Sequence, residues 1–240
     1  MNRIQTSGGW LVLLFLMTAP ARAESLYLQQ MAGARWDTQA FEETLTLLRQ
    51  HHDPKPQPEL KLPPFHQQKE IRIEVQREFC VECHTTLPHR ESERLRSYLN
   101  MHVNTLTCTS CHFRPQGVEL DYRFWTLGEA QSPQRLIAPY SQAGAETFPP
   151  EQPEIARQLQ AWKQADEPQK VQLHLQIHTP LDKQGPSCRS CHTRQEPLLN
   201  LQSLDYDEAA VRKIQEDRIA RYLGDESLED QPIQLIDLLR

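Results

Sequence analysis

Glycine is scarce in this sequence, at 8 of 240 residues against 18 prolines. A turn-rich β-sandwich needs glycine at its hairpins, so that architecture is disfavoured. No G-x-G-x-x-G or Walker pattern occurs, which removes the nucleotide-binding α/β enzymes. Long apolar runs are also missing: hydrophobic residues make up 38% and mean hydropathy is −0.67, too polar for a multispan membrane protein. With 24% charged residues and no low-complexity tracts, the composition is not that of a wholly disordered chain either. No cysteine stands outside three copies of one short pattern.

The N-terminus reads as an export signal. Arg3 precedes an apolar stretch from Trp10 to Met17, and Ala21-Arg22-Ala23 supplies a small-x-small cleavage site. Residues 1–23 are therefore expected to be a signal peptide whose apolar run is too short to anchor the chain across a bilayer. No cysteine precedes Cys80, which excludes a bacterial lipobox, and no twin arginine is present. A soluble periplasmic product with no membrane span is expected. Removing Arg3 and Arg22 leaves 24 basic residues against 32 acidic ones, a formal charge of −8. That charge makes nucleic acid a poor partner.

All six cysteines fall in Cys80-Val-Glu-Cys83-His84, Cys108-Thr-Ser-Cys111-His112 and Cys188-Arg-Ser-Cys191-His192. An even count in an oxidising compartment first suggests disulfides, but pairing does not explain the histidine after each second cysteine. Structural zinc wants four ligands per site, and three cysteine pairs leave one unmatched. A thioredoxin-like redox motif would occur once, after a strand. In C-x-x-C-H the two thiols add to the two vinyl groups of haem, and the adjacent imidazole becomes the proximal iron ligand. Each copy thus specifies one covalent haem c, three in all. The proximal ligands are His84, His112 and His192.

With these motifs the chain resembles a trihaem, multihaem c-type cytochrome. Glu78 to Pro115 also resembles the first two haem segments of the membrane-anchored NapC/NirT-type cytochromes. Those carry four motifs and an uncleaved anchor, so the quinol oxidation their family implies is not carried over to this chain.

Seven histidines remain for the sixth coordination position. Methionine is scarce after processing, with only Met31 and Met101 left, so bis-histidine coordination and low potentials are favoured. His102 lies at the exit of a helical stretch from Glu91 to Met101, six residues before Cys108, and is a leading distal candidate. His174 and His178 share one face whether 171–178 is strand or helix, and at least one of them is expected to bind iron. His89, five residues beyond His84, is too close to reach round to the same iron and would have to serve another haem. His52 ends an apolar stripe through Phe41, Leu45 and Leu48 and is a weaker candidate, as is His66 after a proline-rich run.

The expected fold is mainly α with extended loops, organised around three covalent haems. Its parts are an N-terminal helix and proline-rich connector over 24–66, a dihaem segment over 67–130, and a third-haem segment over 131–240 with a C-terminal amphipathic helix. Helices are expected over Asp37 to His52, Pro153 to Ala165 and Asp205 to Leu223, and a short strand over Ile71 to Val75. Arg90, Arg94, Arg96, Arg114 and Arg189 stand near the motifs as counter-charges for haem propionates. The leading function is electron relay between redox proteins of the cell envelope. A multihaem reductase, with one open iron acting on a small oxyanion or sulfur compound, is the alternative.

Overall fold

The computed structural model describes residues 25–50, 79–84, 87–90, 92, 95–127, 134–142, 153–225 and 236, and the side chains of all of these except 127, 134 and 153–155. Nine α-helices and a two-stranded sheet are found among them. The expected signal peptide, most of the proline-rich connector, the strand over 71–75, and His51, His52 and His66 lie outside the described residues.

Helix α1 (Leu26–Gly33) starts at Ser25, whose hydroxyl accepts the Leu28 amide, and α2 (Thr38–Gln50) starts at Asp37, whose carboxylate accepts the Ala40 amide at 2.8 Å. Both caps satisfy amides that have no carbonyl partner in the first turn. Helix α5 (Pro153–Gln164) leads into α6 (Glu167–His178), which opens on a full capping box. Asp166 accepts the Gln169 amide at 2.9 Å while the Gln169 side chain accepts the Asp166 amide at 3.0 Å. The ambiguity over 171–178 is thereby resolved as helix.

Helices α1, α2 and α5 all pack on α6. Tyr27 of α1 donates its hydroxyl to Ile177 O at 2.6 Å, and its ring meets Phe113 edge-on at 5.6 Å. Tyr27, Leu28, Met31 and Phe113 form one buried cluster, backed by Ile177 and Leu181. Each such side chain contributes about 1.5–3 kcal/mol of burial free energy. The exposed Arg49–Glu167 ion pair between α2 and α6, at 2.8 Å, adds little.

Strands β1 (Leu120–Leu127) and β2 (Gln134–Ser141) form an antiparallel hairpin with Leu120 opposite Ser141 and Phe124 opposite Ile137. Among the described residues the sheet has two strands, and the outer edge of β2 is bridged by Leu106 at Ile137, so Pro139 lies beyond that bridge on an edge strand, where a missing amide is tolerated. The hairpin was not expected from the sequence. Its inner face, through Tyr122 and Ile137, packs with Leu199, Leu201, Leu204 and Val211 into the second buried cluster.

The expected C-terminal helix is two helices. Helix α8 (Glu208–Gln215) is capped by Asp207 and α9 (Arg218–Leu223) by Asp217, each carboxylate accepting the amide three residues on. The second cap supplies the reason for the break: Asp217 turns its side chain onto the Ala220 amide and starts a new helix.

Candidate cofactor site

Each C-x-x-C-H motif sits on a helical turn: a 3₁₀ turn at Phe79–Glu82, α4 (Cys108–His112) and α7 (Cys188–Cys191). The amides of His84 and His192 donate to Cys80 O and Cys188 O at 2.8 and 2.9 Å. Residues three and four apart on a helical turn share a face, so the two thiols and the imidazole are presented together. No disulfide joins any of the six cysteines. Among the described residues no three His, Cys, Asp or Glu side chains gather as a metal ion on its own would require.

The fold brings a second imidazole opposite each motif histidine. His84 faces His178 with ring centres 5.9 Å apart and planes at 74°; His112 faces His89 at 6.2 Å and 17°; His192 faces His102 at 6.2 Å and 78°. Two imidazoles bonded to one metal from opposite sides, at about 2 Å each, hold their ring centres roughly 6 Å apart. Of the distal candidates, His102, His178 and His89 thus each face a motif histidine, and His89 faces that of the second motif rather than its own. His174 does not. Its ring stacks on His178 at 4.0 Å and 19°, too close to admit a metal between them, and its buried Nδ1 has no hydrogen-bond partner among the described residues.

The tautomers follow from the neighbours. Nδ1 of His112 lies 2.9 Å from Asp182 O, Nδ1 of His192 2.6 Å from Ile214 O, Nδ1 of His178 2.8 Å from His174 O, and Nδ1 of His102 2.7 Å from Tyr98 O. Carbonyl oxygens only accept, so each Nδ1 carries the proton and Nε2 keeps its lone pair for a metal. His89 is held by Asn100, whose Oδ1 accepts from the His89 amide at 3.0 Å and lies 3.2 Å from its Nδ1, while Asn100 Nδ2 donates to His89 O at 2.9 Å. Such partners fix ring orientation and raise ligand basicity. Burial lowers the pKa of His178 and His89, and lowers that of His174 to about 4 with help from His178 and His84, so all three are neutral at pH 7.

These orienting groups come from helix ends. His102 and His178 are the last residues of α3 (Arg96–His102) and α6, and each folds back onto the carbonyl four residues earlier. Ile214 O sits in the last turn of α8, where it accepts a long bond from the Asp217 amide at 3.4 Å and keeps a lone pair for His192. Asp182 clasps His112 reciprocally, its amide donating to His112 O at 2.7 Å. The hairpin braces the second motif, with Ser110 Oγ donating to Ile137 O at 2.7 Å. Asn100, Asp182, Ile214 and the hairpin were missed in the sequence. A backbone acceptor leaves no residue-type signal, and Asn100 could have been noticed only for its place two residues before His102.

The surroundings suit a large apolar macrocycle. Leu87 and Met101 are 59% and 58% exposed and line one cleft with Arg96 and Asn100, the last of which holds His89. Three sets of two thiols and two facing imidazoles are the donor set of covalent haem c, and the residues present fit that group. Arg114, one of the expected counter-charges, instead donates to Ser110 O at 2.8 Å and to the Tyr122 hydroxyl.

A family model described as cytochrome c554 and c-prime matches residues 31–113, about a third of the chain. The match supports a c-type cytochrome. With it come covalently bound haem c and a haem-based electron-transfer role. No curated protein and no solved structure matches the chain. No helix among the described residues is long and apolar enough to cross a membrane.

Proposed function

We propose that the chain is an exported trihaem cytochrome that carries single electrons between two redox proteins of the cell envelope. The observation that carries this reading is the set of three facing imidazole pairs, each joining one motif histidine to one histidine from elsewhere in the chain. Cys80 and Cys83, Cys108 and Cys111, and Cys188 and Cys191 would hold the three haems by thioether bonds. His84 with His178, His112 with His89, and His192 with His102 would fill both axial positions. Haem supplies an iron that cycles between ferric and ferrous states.

The protein's own contribution is to close those positions. With the Nδ1 protons of His89, His102, His112, His178 and His192 committed to an oxygen, these imidazoles are held in orientation, and no site is left for an oxyanion or sulfur substrate. The closed arrangement favours relay over the reductase alternative. A reduced donor protein loses one electron and an oxidised acceptor gains one, so the chain returns unchanged. The exported location and the cleavage after Ala23 are part of the same proposal, because haem c attachment takes place outside the cytoplasm.

A pyridine haemochrome assay on purified protein should return three covalent haems per chain. Electron paramagnetic resonance of the oxidised protein should show only low-spin iron. A persistent high-spin signal that responds to nitrite, sulfite or carbon monoxide would replace the relay with the reductase.

A further inference from the structure

Two separate stretches of chain visit the three histidine pairs in the same order. The first stretch carries His84, then His89, then His102, one residue from each pair. Five residues separate His84 from His89, a reach of at most roughly 18 Å. Asn100 fastens His89 to α3 only two residues before His102, a rise of about 3 Å along the helix.

The second stretch begins at His178, the partner of His84. The Leu181 amide donates to His178 O at 2.9 Å, and Leu181 bridges Phe113. Asp182 then clasps His112 in both directions. A methyl group at Gly185 would lie 3.4 Å from Cys111 Cβ. Three residues later comes Cys188, the first thiol of the third motif. The two stretches agree in placing the second pair between the other two along the chain.

We infer that the three sites form a line, with the His89–His112 pair in the middle and the His84–His178 and His102–His192 pairs at the two ends. This ordering rests on the proposed function and extends it: electrons would enter at one end and leave at the other, so donor and acceptor dock on different faces. Neither end site would exchange electrons with the other except through the middle one.

The ordering has a magnetic readout independent of turnover. In the holoprotein, His178→Ala, His89→Ala and His102→Ala each turn one ferric site high-spin, and each variant identifies the low-spin signal it removes. A high-spin neighbour broadens a low-spin signal and speeds its relaxation. His89→Ala should perturb both remaining signals, whereas His178→Ala and His102→Ala should each perturb only the signal of the middle site. Should His89→Ala unfold the centre of the molecule, His89→Met gives a second route: a methionine ligand raises the potential, so the middle site is reduced first. Both end signals should then sharpen together.

Equal perturbation of both remaining signals by His178→Ala, or of only one by His89→Ala, would overturn the line. Fewer than three haems, or high-spin iron in the unsubstituted protein, would instead overturn the three-pair reading on which it rests.

Discussion

At the scale of single residues, His174 and His178 separate ligation from proximity. They stack 4.0 Å apart on one helix face, yet only His178 faces a motif histidine. His178→Ala should therefore convert one of three sites to high-spin, visible as loss of one low-spin resonance, while His174→Ala should leave three. Loss of low-spin iron in both single variants would mean that the pair acts as one ligand unit. Ring orientation makes a second residue-scale prediction. Parallel imidazole planes split the iron d orbitals and give a rhombic signal, whereas near-perpendicular planes leave them almost degenerate and give a strongly anisotropic one. The planes stand at 17° in the His89–His112 pair and at 74° and 78° in the others. One rhombic and two strongly anisotropic signals are expected in the oxidised protein, and three rhombic ones would contradict these ring angles.

At the scale of elements, the break between α8 and α9 joins fold to site. Replacing Asp217 by alanine removes the side chain that accepts the Ala220 amide at 2.7 Å. The expected cost is about 1 kcal/mol of stability, read as a lower midpoint in thermal unfolding followed by circular dichroism. The Ile214 carbonyl would still lie in the last turn, so all three sites should stay low-spin; a high-spin signal in this variant would make the break essential to ligation. The break itself was readable in outline, since Asp217 followed by Ala220 is an N-cap pattern, but an unbroken apolar stripe through Val211, Ile214 and Leu223 hid it. The hairpin was hidden differently. Leu120, Tyr122 and Phe124 alternate with Asp121 and Arg123 as a half-buried strand should, but Trp125 interrupts the period and Pro139 argues against its partner strand. Its place on an edge strand, past the single bridge from Leu106 to Ile137, makes that proline compatible with the sheet.

At the scale of the whole molecule, the sequence made the attachment points legible and left their partners open. A C-x-x-C-H motif is local, so its thiols and imidazole are specified by five consecutive residues. A distal histidine is chosen by tertiary contact. His178 meets His84 across 94 positions and His102 meets His192 across 90, and no spacing rule reaches so far. His89 shows the limit from the other side, because loop length could exclude its own iron but could not say which other iron it meets. The same long-range pairing predicts how the molecule folds. The two buried clusters are small and neither contains any of the six paired histidines. The contacts joining 79–112 to 167–192 include two of the facing imidazole pairs and the Asp182–His112 clasp. Covalent haem should therefore act as a binding group that stabilises the native state far more than the unfolded one. A chain with all six cysteines replaced by alanine, so that no haem can attach, is expected to lose cooperative thermal unfolding and near-ultraviolet circular dichroism while keeping part of its helical signal. Limited proteolysis should then cut between 79 and 112, where the intact holoprotein resists. A haem-free variant that melts as sharply as the holoprotein, at the same midpoint, would mean that the two apolar clusters suffice to hold the fold.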